Sequence, residues 1–252
     1  MIIKVCGMRD AENIREVENL LILRSALPLG SSKNSQFSSA MMGFIFWPKS
    51  SRYVAERPAY LPEHVKRVGV FVDEEVEQIC RIAHDFALDF IQLHGHESPE
   101  FIRRLRCVCG DAISIIKAFN IATAADLSQT APYEGLVDYF LFDTKATLPG
   151  GSGQQFDWSV LDAYKGETPY LLSGGIGPSD ADRVKDMKCY GIDLNSRFET
   201  APALKDVNLL KEFINPVTAQ DHSDDTRYQA EISIDLERRM VIKQIRQQRV
   251  FH

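Results

Sequence analysis

No apolar stretch in this sequence approaches the roughly 20 residues that a membrane-crossing helix needs, which excludes a helical membrane protein. Basic residues are in deficit: 29 Lys and Arg against 35 Asp and Glu leave a formal charge of −6 at pH 7. A nucleic-acid surface normally carries a basic stripe, so no nucleic-acid partner is expected. An anionic small molecule stays open, because its site needs only a few local donors. Cysteine is sparse and odd in number, five in all, and the spacing gives no disulfide framework. Cys107 and Cys109 form a CxC pair without a second pair or a histidine at zinc spacing, so no metal site is read. Reduced thiols fit a cytoplasmic location. The opening MIIKVCG is too short an apolar run for a signal peptide and lacks its basic start.

What is present is a chain of 252 residues, 44% hydrophobic, enough to bury a full core. Short apolar runs read as strands at 2–6, 41–46, 67–72, 88–94, 112–119, 137–143, 169–173 and 190–195. Helix-like segments lie between them, such as 73–86 and 98–108, the latter opening on Ser98-Pro99, a cap followed by proline at the first helical position. Eight runs, each followed by a plausible helix, point to parallel βαβ units. The expected fold is α/β, a single-domain (β/α)₈ TIM barrel over 1–214, with a doubly wound open sheet as the alternative. A serine-rich insertion at about 24–40 is expected as a mobile loop at the bottom of the barrel. Residues 215–252 form a C-terminal extension whose end reads as a short amphipathic helix; no motif in it indicates a role.

Reacting groups in such a barrel sit where strands end, at one mouth. Cys6 ends the first strand and Asp143 the sixth, three steps apart around an eight-membered ring. A thiol and a carboxyl facing across a pocket make a general base and a general acid. Alternatively, Cys6 is a small core hydrophobe and Asp143 a helix cap. Gly174 and Gly175 follow the seventh strand and Ser196 and Arg197 the eighth, where these barrels cradle phosphate on backbone N–H groups; a tight turn is the plainer reading of the glycines. Gly150, Gly151, Ser152 and Gly153 suit either a lid that closes on substrate or a surface loop. Arg52 follows the second strand, placed to grip a carboxylate through two hydrogen bonds or simply to be solvated. Alternation puts Lys4 on the face of Cys6, and a buried ammonium needs a partner. Asp193 on the neighbouring eighth strand is that expected partner, as structural support beneath the site.

Several blocks in order resemble the phosphoribosylanthranilate isomerase family. They are Lys4-Val5-Cys6-Gly7, GFIFWPKSSRYV (43–54), and Gln92-Leu93-His94-Gly95 with Glu97. Further along come Asp143-Thr144-Lys145 through Gly150-Gly151-Ser152-Gly153 to Phe156-Asp157-Trp158. Ser173-Gly174-Gly175, Asp193-Leu194-Asn195-Ser196, Glu199 and Lys205-Asp206 complete the set. The similarity covers roughly residues 2–214 apart from the insertion.

The resemblance implies an Amadori rearrangement of an aminoaldose to an aminoketose, with a small phosphosugar as substrate and no cofactor or metal. It implies Asp143 as general acid, Cys6 as general base, Arg52 on the anthranilate carboxylate, and Gly174, Gly175, Ser196 and Arg197 around the phosphate. Two departures stand out. The family's S-S-G-V-E reads Asn195-Ser196-Arg197-Phe198-Glu199 here, which either strains the turn, if position 197 needs a positive φ, or adds a cation beside the phosphate. The family's proline-glycine before K-D reads Pro202-Ala203. The alternatives are a phosphate-binding barrel without turnover, or another phosphosugar isomerase or synthase of the tryptophan or histidine pathway. Oligomeric state is not readable from these residues.

Overall fold

A computed structural model of the protein describes residues 1–25, 40–110, 112–143 and 157–218. Eight strands follow one another: β1 Ile2–Cys6, β2 Ala40–Ile45, β3 Lys66–Phe71, β4 Phe90–Leu93, β5 Ser114–Asn120, β6 Tyr139–Asp143, β7 Tyr170–Ser173 and β8 Gly191–Leu194. Each pairs in parallel with the next, and β8 returns to β1 with Asp193 opposite Lys4. The sheet is a closed TIM barrel, and the open-sheet alternative falls.

Strand alternation sorts the side chains into two cores. Met41, Val68, Ile116, Ala118, Leu141 and Leu171 fill the inside of the barrel. The opposite faces, including Val5, Phe44, Ile91, Phe140 and Leu172, join the helix residues Ile14, Val17, Ile79, Ile102 and Phe213 in a larger cluster outside it. Each such side chain removed from water stabilises the fold by about 1.5–3 kcal/mol.

The helices are α1 Ala11–Ser25, α2 Val76–Asp85, α3 Pro99–Cys109, α4 Ala181–Lys185 and α5 Val207–Thr218. Asp10 starts α1 by accepting the N–H groups of Glu12 and Asn13. Ser98 caps α3 as expected, accepting from the Phe101 N–H at 3.3 Å with Pro99 in the first turn. The expectation of a helix after every strand is corrected. Residues 46–65 between β2 and β3 form no helix, since Pro48, Pro58 and Pro62 interrupt any run of helical bonds. The buried Glu18 ties that segment to α1, accepting from the Tyr60 hydroxyl and from the N–H groups of Glu63 and His64. After β5 the chain winds only into 3₁₀ turns over Ala124–Tyr133, with Pro132 inside.

Two further expectations change. Cys80 on α2 and Cys109 on α3 are joined in a disulfide, Cα–Cα 5.5 Å, so the five cysteines are not all free thiols. Helix α1 runs to Ser25 and β2 begins at Ala40, so only residues 26–39 of the serine-rich segment stand apart, and they lie outside the described residues. The barrel unit spans Met1–Val217. Its last helix crosses the expected boundary at 214 because Phe213, Ile214 and Val217 continue its buried face. The remaining tail, from 219, lies outside the described residues.

Candidate active site

Cys6 closes β1 and is 3% exposed. Below it, on the same inward face, Lys4 is fully buried and donates to Asp193 Oδ1 at 2.8 Å, the contact expected from alternation. Lys4 and Cys6 are two residues apart on that face, and each biases the charge of the other. Burial pushes the thiol up from its ordinary value, opposed by the Lys4 and Lys205 ammonium groups and reinforced by the Asp193 carboxylate. Burial also works against the charge on Lys4, but Asp193 and Cys6 more than offset it, and its pKa is raised.

Two glycines make room around this cysteine. Gly43 sits opposite Cys6 in register, and a Cβ there would lie 2.7 Å from the sulfur. Gly7 has φ +79°, and a Cβ on it would meet Arg52 Cδ at 2.6 Å and Asn195 Oδ1 at 2.9 Å. The Lys-Val-Cys-Gly block therefore does two jobs: it presents the thiol and lets the arginine cross over the turn behind it.

Arg52 reaches this position from the turn after β2. Its Nε donates to Glu199 Oε1 at 2.9 Å and its Nη2 to Oε2 at 2.5 Å. Glu199 also accepts from Lys205 Nζ at 2.5 Å and the Ala203 N–H at 3.3 Å, and Lys205 donates on to Asn195 Oδ1 at 2.8 Å. Burial alone would raise the Glu199 carboxyl; the bonds from Arg52 and Lys205 win, and hold it below the usual glutamate range. One edge of the guanidinium is thus clamped, while Nη1 lies 3.5 Å from Ser51 Oγ.

Asp143 ends β6, three strands from β1 by way of β8 and β7, with its side chain 11% exposed. Among the described residues, the turn Trp158–Ala163 is capped by Asp157, which accepts from the Ser159 N–H at 3.0 Å. Asp143 faces His94, whose Nε2 is 3.6 Å from Oδ2. Gln92 Nε2 in turn lies 3.3 Å from His94 Nδ1.

After β7, Gly174 and Gly175 take φ +92° and +71°, the left-handed region that only glycine enters freely. A Cβ on Gly175 would meet nothing within 4 Å, so that turn borders open space. Ser196 and Arg197 are exposed on the turn Ser196–Phe198 after β8, and the Arg197 stem lies about 3.9 Å from the Cβ position of Gly177. The loops that follow β7 and β8 are therefore neighbours at the mouth. Arg197 has no positive φ, so replacing the family glycine leaves that turn unstrained. The unusual backbone is at Ala203, φ +68°, where the family pattern has glycine. Gly150, Gly151, Ser152 and Gly153 lie outside the described residues.

The family model described as N-(5'-phosphoribosyl)anthranilate (PRA) isomerase matches residues 30–216. The chain belongs to the PRA isomerase family. It is 49% identical over 218 residues to the N-(5'-phosphoribosyl)anthranilate isomerase of Phocaeicola vulgatus, covering 85% of this chain and 97% of that one. The enzyme of the same name from Parabacteroides distasonis is 46% identical over 226 residues, covering 86% and 93%. Among solved structures, phosphoribosyl anthranilate isomerase from Thermotoga maritima superposes with a TM-score of 0.66 at 30% identity, over 87% of this chain and all of that one. A second isomerase structure, in complex with reduced 1-(o-carboxyphenylamino)-1-deoxyribulose 5-phosphate, gives 0.64 at 28% identity with the same coverage.

For a PRA isomerase, the structure brings Cys6, Arg52, Asp143, Gly174, Gly175, Ser196 and Arg197 to one end of the barrel, where strands β1, β2, β6, β7 and β8 finish. Sequence reasoning did not single out His94, Lys205 or Glu199 as site residues, although each stood in a quoted motif or beside one. Of these, His94 left a signal, since it shares the inward face of Gln92; the clamp on Glu199 did not, because Arg52 is 147 residues away in the chain.

Proposed function

We propose that Cys6 and Asp143 carry the proton transfers of this enzyme. The protein is an isomerase of tryptophan biosynthesis: it converts N-(5'-phosphoribosyl)anthranilate to 1-(2-carboxyphenylamino)-1-deoxyribulose 5-phosphate. Asp143 protonates the ribose ring oxygen, the C1–O bond breaks, and the anthranilate nitrogen lone pair forms C=N. Cys6 as thiolate then takes the proton from C2, the C–H electron pair forms the C1=C2 bond, and the C=N π pair returns to nitrogen. The enolamine so formed tautomerises to the ketose. The substrate's own nitrogen is the electron sink, so the reading needs no cofactor.

The observation that carries this assignment is the placement of Cys6 and Asp143 at the ends of β1 and β6, bordering one mouth of the barrel. Burial, reinforced by Asp193, holds the thiol above its ordinary value, and Lys4 and Lys205 lessen that shift in favour of the thiolate. Arg52, braced by Glu199, suits the anthranilate carboxylate, since its planar fork binds carboxylates in a fixed direction. Gly174 and Gly175, with Ser196 and Arg197 across from them, suit the phosphate. The substrate partner is a small phosphosugar, and a cytoplasmic location rests on the biosynthetic family alone, since the Cys80–Cys109 bond removes the reduced-thiol argument.

The test follows the fluorescence of freshly made phosphoribosylanthranilate. Wild type is expected to consume it rapidly, and Cys6→Ser and Asp143→Asn each to slow by about 10²–10⁴-fold. Wild-type rates in either variant would remove that residue from the mechanism.

A further inference from the structure

We propose that His94, held in one tautomer by Gln92, is a positioning residue that orients the carboxyl of Asp143 for proton delivery; this rests on the general-acid role given to Asp143 above. The three side chains form a line, with Gln92 Nε2 3.3 Å from His94 Nδ1 and His94 Nε2 3.6 Å from Asp143 Oδ2. Gln92 is 1% exposed, and its Oε1 is buried without a hydrogen-bond partner. A buried amide oxygen in that state is unfavourable, so the orientation of this amide has to be accounted for.

The two ways of turning the amide assign opposite tautomers to the imidazole. With Gln92 donating, Nδ1 is the acceptor and the imidazole proton sits on Nε2, facing Asp143. With the amide turned over, Oε1 accepts from Nδ1–H, and a lone pair on Nε2 faces the carboxyl instead. That second arrangement repels an ionised Asp143 and draws the proton of a neutral one toward His94, away from the sugar.

The first arrangement serves an acid. Nε2–H donates to Oδ2, which leaves the transferable proton on Oδ1, and the same donor stabilises the carboxylate once the proton has gone to the ring oxygen. The unpartnered Oε1 of Gln92 is the cost of that tautomer. A separation of 3.6 Å is longer than a formed hydrogen bond, and contacts of this kind shorten when substrate occupies the site.

The tautomer is read directly by ¹⁵N NMR of the wild-type enzyme, with His94 assigned from its missing signals in His94→Gln. A protonated Nε2 and a bare Nδ1 above neutral pH are expected; the Nδ1–H tautomer overturns the proposal. In the fluorescence assay, His94→Ala is expected to lose about 10²-fold in kcat with KM within about threefold. His94→Gln, whose amide N–H reaches the place of Nε2–H, should recover at least about tenfold of that loss. A His94→Ala enzyme with wild-type kcat overturns the proposal, as does a loss that His94→Gln fails to relieve. On an Asp143→Asn background, His94→Ala should add less than about threefold, because both act through one proton. If Asp143→Asn is itself fully active, the general-acid reading falls and takes this inference with it. If Asp143→Asn is dead while His94→Ala is unaffected, only the inference falls.

Discussion

At position 43 the absence of a side chain is what lets Cys6 point into the pocket. A methyl there would overlap the sulfur at 2.7 Å, and β1 and β2 are hydrogen-bonded too closely to part. Gly43→Ala is therefore expected to displace the thiol and lower kcat at least about tenfold, since a shift near 1 Å costs that much or more. Overpacking should also destabilise by about 1–3 kcal/mol. The fluorescence assay and a thermal melt on the same sample check both, and wild-type kcat would show that the thiol has room to spare. At this scale the sequence was readable wherever a strand end or alternation singled out a residue: Cys6, Asp143 and the Lys4–Asp193 pair. It was unreadable where a residue matters through a partner reached only by folding. Glu199 lies 147 residues from Arg52, and nothing in the local pattern of either names the other.

Helix α2 ends in a form that normally belongs to glycine. The Leu88 N–H bonds to the Ala83 carbonyl at 2.8 Å and the Ala87 N–H to that of His84 at 3.0 Å, a Schellman ending with Ala87 as its left-handed residue at φ +46°. Ala87 is exposed, so its methyl contributes little packing. Ala87→Gly is expected to stabilise by about 0.5–1 kcal/mol, the relief of left-handed strain exceeding the added unfolded-chain entropy. Urea melts of the two proteins decide it, and a lower midpoint for the variant would contradict the strain argument. All eight strands were legible within two residues, because each is a short apolar run between turn signals. The helix layer was less legible. Proline content between β2 and β3 gave warning, but the 3₁₀ winding after β5 did not. The Cys80–Cys109 bond was invisible, since the spacing of two cysteines does not say which helix faces which.

For the molecule as a whole, that disulfide closes a loop of sequence separation 29 between two helices on the outer ring. Loop-closure entropy predicts that opening it lowers stability by about 3–4 kcal/mol. Melts of the oxidised protein with and without reductant measure this, and coincident curves from protein shown by mass to carry the bond would refute it. The bond lies away from the strand ends that hold the site, so turnover below the melting range is expected to be unchanged by reduction.

The buried pair of Lys4 and Asp193 joins the first strand to the last, 189 residues away. It is the rivet of the seam, and its wide sequence separation leads us to expect that it forms late in folding. A contact that forms after the rate-limiting step changes the unfolding rate and leaves the folding rate alone. Weakening this one by Asp193→Asn should accelerate unfolding while leaving the refolding rate nearly unchanged. A refolding limb slowed as much as the unfolding limb is quickened would instead mean that the two ends of the chain meet early. On the expected outcome, the ion pair beneath the active site is a timer of how long the barrel stays shut, rather than of how fast it forms.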